Sequence, residues 1–152
     1  MRLAKRTRGR PSKVVDEASV KEWVGNYFNY LRNGDAEAWY SLWDDDVTIL
    51  PPNMPPVYGL EAWRKISESG FEKYSSSHET IDLKVYADHT IAYVRWIGVA
   101  TNIPKSGGET LRNENKSVWL LRRGYDGSLK AFECIWSHNH PPKGDKSFTY
   151  EK

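Results

Sequence analysis

Three polar side chains sit inside otherwise apolar, patterned segments of this sequence, and each has a chemistry of its own. Arg95 lies in the run Ala-Tyr-Val-Arg-Trp, with Tyr93, Ile97 and Val99 at alternating positions. A guanidinium keeps its proton and is costly to bury alone, so a strand arginine calls for a carboxylate, from the protein or from a ligand gripped in a bidentate fork. Tyr27 lies on a helical face shared with Val20, Trp23, Val24, Phe28 and Leu31. A hydroxyl there bonds backbone or polarises a ligand oxygen. His138 alternates with Trp136 near the end of a strand pattern, where an imidazole can carry protons near neutral pH or sit at a rim. Arg95 is equally suited to an internal ion pair with Asp44, Asp45, Asp46 or Glu79.

The elements that must position these residues follow from periodicity. Ser19-Val20-Lys21-Glu22 matches a capping box and predicts a first helix from about Ser19, closed by Asn33-Gly34. Asp35 caps a second helix through Ala38, Trp39, Leu42 and Trp43, which the run Asp44 to Asp46 ends. Val47, Ile49 and Leu50 are strand-forming, and Pro51-Pro52 blocks further pairing. A third helix spans about Leu60 to Tyr74, with Leu60, Trp63, Ile66 and Phe71 inward. Strands are expected near residues 78–86, 90–102, 109–123 and 129–139, as an antiparallel meander. Helices followed by such a sheet make an α+β fold.

Alternation sorts the strand side chains into faces. Phe132, Cys134, Trp136 and His138 share one; Asn115, Ser117, Trp119 and Leu121 share another; Tyr93, Arg95, Ile97 and Val99 a third. Phase alone does not say which sets point inward.

Bulk properties bound the function. The length of 152 residues suits one domain with a real core. One cysteine, Cys134, leaves no internal disulfide framework and fits a reducing compartment. No apolar run is long enough to span a membrane and no signal peptide opens the chain, so a cytoplasmic protein is expected. His138-Asn139-His140 offers two imidazoles without a third ligand, so no metal is expected. His89 and His140 fall in turn and tail. Phosphate loop, nucleophile elbow and dinucleotide fingerprint are all missing, and no cofactor is expected. Residues 1–13 carry six basic side chains and no acid, and the remainder holds 16 basic against 20 acidic residues. The division is a basic tail over residues 1–15, a domain over residues 16–142 and a polar tail over residues 143–152. The core Arg8-Gly9-Arg10-Pro11 resembles an AT-hook, whose flat extended backbone fits the narrow minor groove of A·T-rich DNA.

The block from Gly34 to Trp63, with the Ala-Tyr-Val-Arg-Trp strand and the segment Tyr125 to Trp136, resembles the SnoaL-like members of the nuclear transport factor 2-like superfamily. The resemblance covers roughly Ala18 to Pro142. It implies a cone: three N-terminal helices on a curved, mostly antiparallel sheet that encloses a pocket, in a homodimer packed through the outer sheet face. Ketosteroid isomerase belongs to the same superfamily. Its oxyanion tyrosine matches Tyr27, its general-base aspartate falls at Pro51 and its second donor at Trp119. Proline abstracts no proton, so that mechanism does not transfer. The comparison implies a pocket lined by Tyr93, Arg95 and Ile97, by Asn115, Ser117 and Trp119, and by Phe132, Cys134, Trp136 and His138. The association domain of calcium/calmodulin-dependent kinase is similar at Arg95, where its strand places an arginine in the pocket. Dehydratase-like members pair a strand histidine with a helix aspartate. His78 starts a strand here, but helix 1 offers no inward aspartate beyond its cap.

The functional expectation is a pocket for a small apolar or carboxylate-bearing ligand. Its chemistry would be cofactor-free isomerase, cyclase or dehydratase chemistry carried by Tyr27, Arg95 and His138. The alternatives are a non-catalytic ligand-binding or association domain, and a DNA-associated protein acting through its tail.

Overall fold

The computed structural model describes residues 14–139. The Arg8–Pro11 motif, His140 and the 143–152 tail lie outside the described residues. Asp16, three positions before the expected start, opens α1 (Glu17–Asn33), accepting from the Ser19 backbone N–H at 2.8 Å. The Ser19 hydroxyl also donates to Asp16, at 2.9 Å, so the serine supports the cap instead of forming it. Gly34 closes the helix at φ 67°, a left-handed conformation that glycine adopts without a Cβ clash.

The second helix is shorter than its apolar spacing suggested. α2 (Ala36–Tyr40) is capped by Asp35, but Trp43 already belongs to β1 (Trp43–Leu50). Asp44 to Asp46 are therefore strand residues, in the segment where the pairing of β1 shifts register. A short β2 (Val57–Tyr58) follows the prolines and pairs with β1. In α3 (Leu60–Lys73) Trp63 is buried, whereas Ile66, expected inward, is exposed.

Four long strands complete the fold: β3 (Tyr74–Asp88), β4 (Ile91–Pro104), β5 (Leu111–Arg123) and β6 (Leu129–His138). The curved, open sheet runs β2-β1-β6-β5-β4-β3. Every neighbouring pair is antiparallel except β1 with β6, which is parallel.

The three helices cover one face of this sheet, and the core between them is aromatic. The Tyr27 ring contacts Trp119 at 5.0 Å between centroids, Trp23 at 5.4 Å, Trp39 at 5.6 Å and Trp43 at 5.9 Å. Such offset and edge-to-face pairs add to the burial of each ring.

Candidate functional site

Register decides what faces the helices. Directly paired residues on neighbouring strands point to the same side of a sheet. Val94, Trp119 and Cys134 form one row across β4, β5 and β6; Trp96, Ser117 and Trp136 form the next; Gly98, Asn115 and His138 the third. A fourth row joins His78 of β3 to Ala100 and Asn113. The rows run from buried aromatic rings to half-buried polar groups, and they form the sheet side of a cavity of about 230 Å³. Tyr27 and Phe28 of α1, Trp43 and Trp63 complete it.

Gly98 leaves room for this arrangement. A Cβ at that position would overlap the Trp96 ring and the Glu79 carbonyl. The Trp96 indole thus lies along the glycine and donates to Thr80 Oγ1 at 2.8 Å.

Of the residues expected at the pocket, Tyr27, Asn115, Ser117, Trp119, Cys134, Trp136 and His138 line the cavity. Tyr93, Arg95, Ile97 and Phe132 do not. Arg95 pairs across β5 with Val118 and across β3 with Lys84, on the outer face, and Tyr93 shares that face. The Arg95 guanidinium donates to Asp82 Oδ2 at 2.7 Å. It has a protein carboxylate partner and faces away from the cavity, so it is not an anion anchor there. Phe132 falls at a pairing shift in β6: Leu120 pairs with Glu133 but Leu121 with Ala131, which leaves Phe132 unpaired. The extra residue of a bulge reverses the alternation. Ala131 is buried, and Phe132 packs under the Arg122 guanidinium at 4.6 Å.

The lining contains no Asp, Glu, Lys or Arg. Its polar groups are Tyr27, Ser117, His78, His138 and the carboxamides of Asn102, Asn113 and Asn115. Asn102 Oδ1 accepts from the Ser76 hydroxyl at 2.6 Å. His138 Nδ1 lies 2.6 Å from Asn115 Oδ1. His78 lies between the Phe28 and Trp96 rings, and its Nδ1 is buried without a partner. Burial, helped by the Arg32 cation, lowers its pKa to about 4. Burial also lowers that of His138. Both imidazoles are therefore neutral at pH 7. Burial holds the Tyr27 hydroxyl well above its usual range, with the Cys134 thiol adding to the effect. The indole N–H groups of Trp39 and Trp119 ease that shift without meeting the geometry of a hydrogen bond. Tyr27 can act only as a neutral donor or acceptor. Burial raises the pKa of Cys134 as well, so no thiolate forms there.

His78 and His138 stand on β3 and β6, three strand spacings apart, or about 14 Å of sheet. They flank the half-buried end of the cavity. His78, Asn102 and Asn113 were not singled out from the sequence as site residues. For Asn113 a signal was present, since it continues the Asn115-Ser117-Trp119 alternation by one step. His78 needs the β3–β4 register, which one sequence does not contain. Among the described residues no group of three or more His, Cys, Asp or Glu side chains is placed to hold a metal ion, and no helix is long and apolar enough to cross a membrane.

The SnoaL-like domain model matches residues 24–131, and the chain belongs to that family. No curated protein matches the sequence. Among solved structures it is similar to a ketosteroid isomerase-like protein from Erwinia carotovora atroseptica, at 21% identity and TM-score 0.69, over 84% of this chain and 100% of that one. A candidate scytalone dehydratase from Novosphingobium aromaticivorans aligns at 16% identity and TM-score 0.72, over 81% and 83%. A candidate dehydratase of the nuclear transport factor 2-like family from Streptomyces avermitilis aligns at 17% and 0.69, over 80% and 94%. At these identities the likeness is one of fold.

Proposed function

We propose that this protein binds a small, uncharged ring compound and moves protons on it, as a cofactor-free isomerase or dehydratase. One observation carries the reading: two neutral imidazoles flank an aromatic cavity that contains no ionised side chain. An ionic ligand entering it would lose water and gain no counter-charge, at a cost of several kcal/mol. A carboxylate-bearing ligand, expected when Arg95 was placed inside, is disfavoured for that reason. The volume suits one substituted ring or two fused rings, since an apolar cavity of about 150 Å³ holds benzene. The candidate dehydratases of like fold agree with this reading. In it, His138 takes a proton from the ligand, Tyr27 donates to a ligand oxygen, and the tryptophans position the rings.

The test is α-proton exchange of 2-tetralone in D₂O, followed by NMR. Wild type should exceed the buffer rate by about a hundredfold or more, within the range of positioned general bases. His138→Gln should lose at least tenfold. Equal rates for wild type, His138→Gln and buffer would remove the catalytic reading.

A second reading, a non-catalytic association domain, is favoured by the protein carboxylate that Arg95 already has. In either reading the outer sheet face around Tyr93, Arg95, Val118 and Ile135 is our proposed homodimer surface. Light scattering should then give twice 17.6 kDa.

A further inference from the structure

Two histidines flank the cavity, and the structure treats them differently. Among the described residues His78 Nδ1 is buried with no partner, and no hydrogen bond to them holds its ring. His138 Nδ1 has a carboxamide oxygen at 2.6 Å. That contact is built into the sheet, because Asn115 and His138 stand directly opposite each other where β5 and β6 pair. The same register continues inward through Ser117–Trp136 and Trp119–Cys134, which are anchored in the core.

The oxygen of a carboxamide accepts hydrogen bonds and does not donate them. The ring nitrogen facing it must therefore carry the hydrogen. A neutral imidazole has one N–H, so the lone pair is left on Nε2. Nε2 makes no hydrogen bond to any described residue, and His138 lines the cavity.

We propose that Asn115 is a positioning residue: it holds His138 as the Nδ1–H tautomer and so presents the Nε2 lone pair to the ligand as the proton acceptor. The inference rests on the proton-transfer reading above. It adds which nitrogen of that histidine acts and what fixes the choice. When Nε2 takes a proton, the ligand C–H bond breaks and its electron pair stays on the ligand as an enolate. The imidazolium that forms keeps its Nδ1–H bond to Asn115, which is stronger to a charged donor than to a neutral one. The same bond thus sets the tautomer before transfer and favours the product of transfer.

The tautomer is observable without knowing the natural ligand. Long-range ¹H–¹⁵N correlation spectra of the full, uniformly ¹⁵N-labelled chain at pH 8 separate Nδ1–H from Nε2–H rings. The His138 signals are those absent from His138→Gln. The expected result is at least a tenfold excess of Nδ1–H at His138 in wild type. It should persist in Asn115→Asp, whose carboxylate still accepts, and be lost in Asn115→Leu. Asn115→Leu should also lower kcat for tetralone exchange at least tenfold with KM within threefold, and Asn115→Asp should restore most of it. An Nε2–H ring in wild type overturns the inference, whether or not any variant folds. So does an unchanged tautomer in Asn115→Leu. If the tautomer is as expected but His138→Gln exchanges tetralone as fast as wild type, the proton-transfer reading fails and takes the base role with it.

Discussion

The two faces of the same sheet differ in charge more than in any other property. On the cavity face of β4, β5 and β6 stand Trp96, Trp119, Trp136, Ser117, Asn115 and His138, none of them ionised. One residue away along the same strands, the outer face carries Arg95, Lys116 and Glu133. Arg95 there meets Asp82 at the surface, with the two side chains 41% and 47% exposed. A strand alternates sides at every residue, so a single backbone supplies a dry, neutral interior and a solvated, charged exterior. The fold thus keeps its formal charges off the cavity face. All the ion pairs among the described residues involve side chains that reach water.

That contrast can be broken from the inside first. Trp43 is 1% exposed and touches the rings of Tyr27, Trp39 and Trp63. Trp43→Ala should cost about 4 kcal/mol, the cost of emptying a large aromatic site. A urea midpoint will read it, and a change under about 1 kcal/mol would mean that the aromatic interior is far looser than its packing suggests.

Acid sharpens the contrast next. His78 binds its proton only near pH 4 in the folded chain, against 6.5 when unfolded. The unfolded state therefore holds more protons between those values, so stability falls as pH is lowered. The contribution is fully present above pH 6.5, is lost on the way down through pH 4, and amounts to about 3 kcal/mol. As pH falls from 7 to 4, wild type should lose about 3 kcal/mol of stability relative to His78→Leu, read from denaturant midpoints. Parallel curves would show that His78 is hydrated.

The smallest effect belongs to the outer face. At concentrations low enough to hold the protein as a monomer, Arg95→Ala should change stability by less than about 1 kcal/mol, as an exposed pair does, and leave ligand binding within twofold. A tenfold loss of binding would place Arg95 in the functional site after all.

How much of this was legible depended on whether local spacing or long-range register held the answer. The amphipathic face of α1, with Tyr27 on it, and the closing Gly34 are local signals and were readable. The alternating sets of β5 and most of those of β6 were readable too, but which set faces the cavity came from the family resemblance and not from spacing. The phase of β4 was not readable, because Tyr93/Arg95/Ile97 and Val94/Trp96 are both regular alternations. Only the pairing of Val94 with Trp119 chooses between them. Phe132 was misplaced by one unpaired residue, and no local propensity marks that bulge. Trp43 continued a helical pattern but was taken by β1, where it pairs with Ala131. That is tertiary contact overriding local preference.

One feature of the topology also bears on how the molecule is made. β6 is the last of the described strands, yet it lies between β1, the first of them, and β5. On a ribosome, β1 and β2 emerge as a ribbon with an open edge, and β3 to β5 as another, with no strand pairing between them. The cavity wall closes when the segment ending at His138 is released and inserts between them. Assembly is thus a late, non-local step of the kind that folds slowly. Until it happens, two sheet edges and a band of tryptophan surface stay open to other chains.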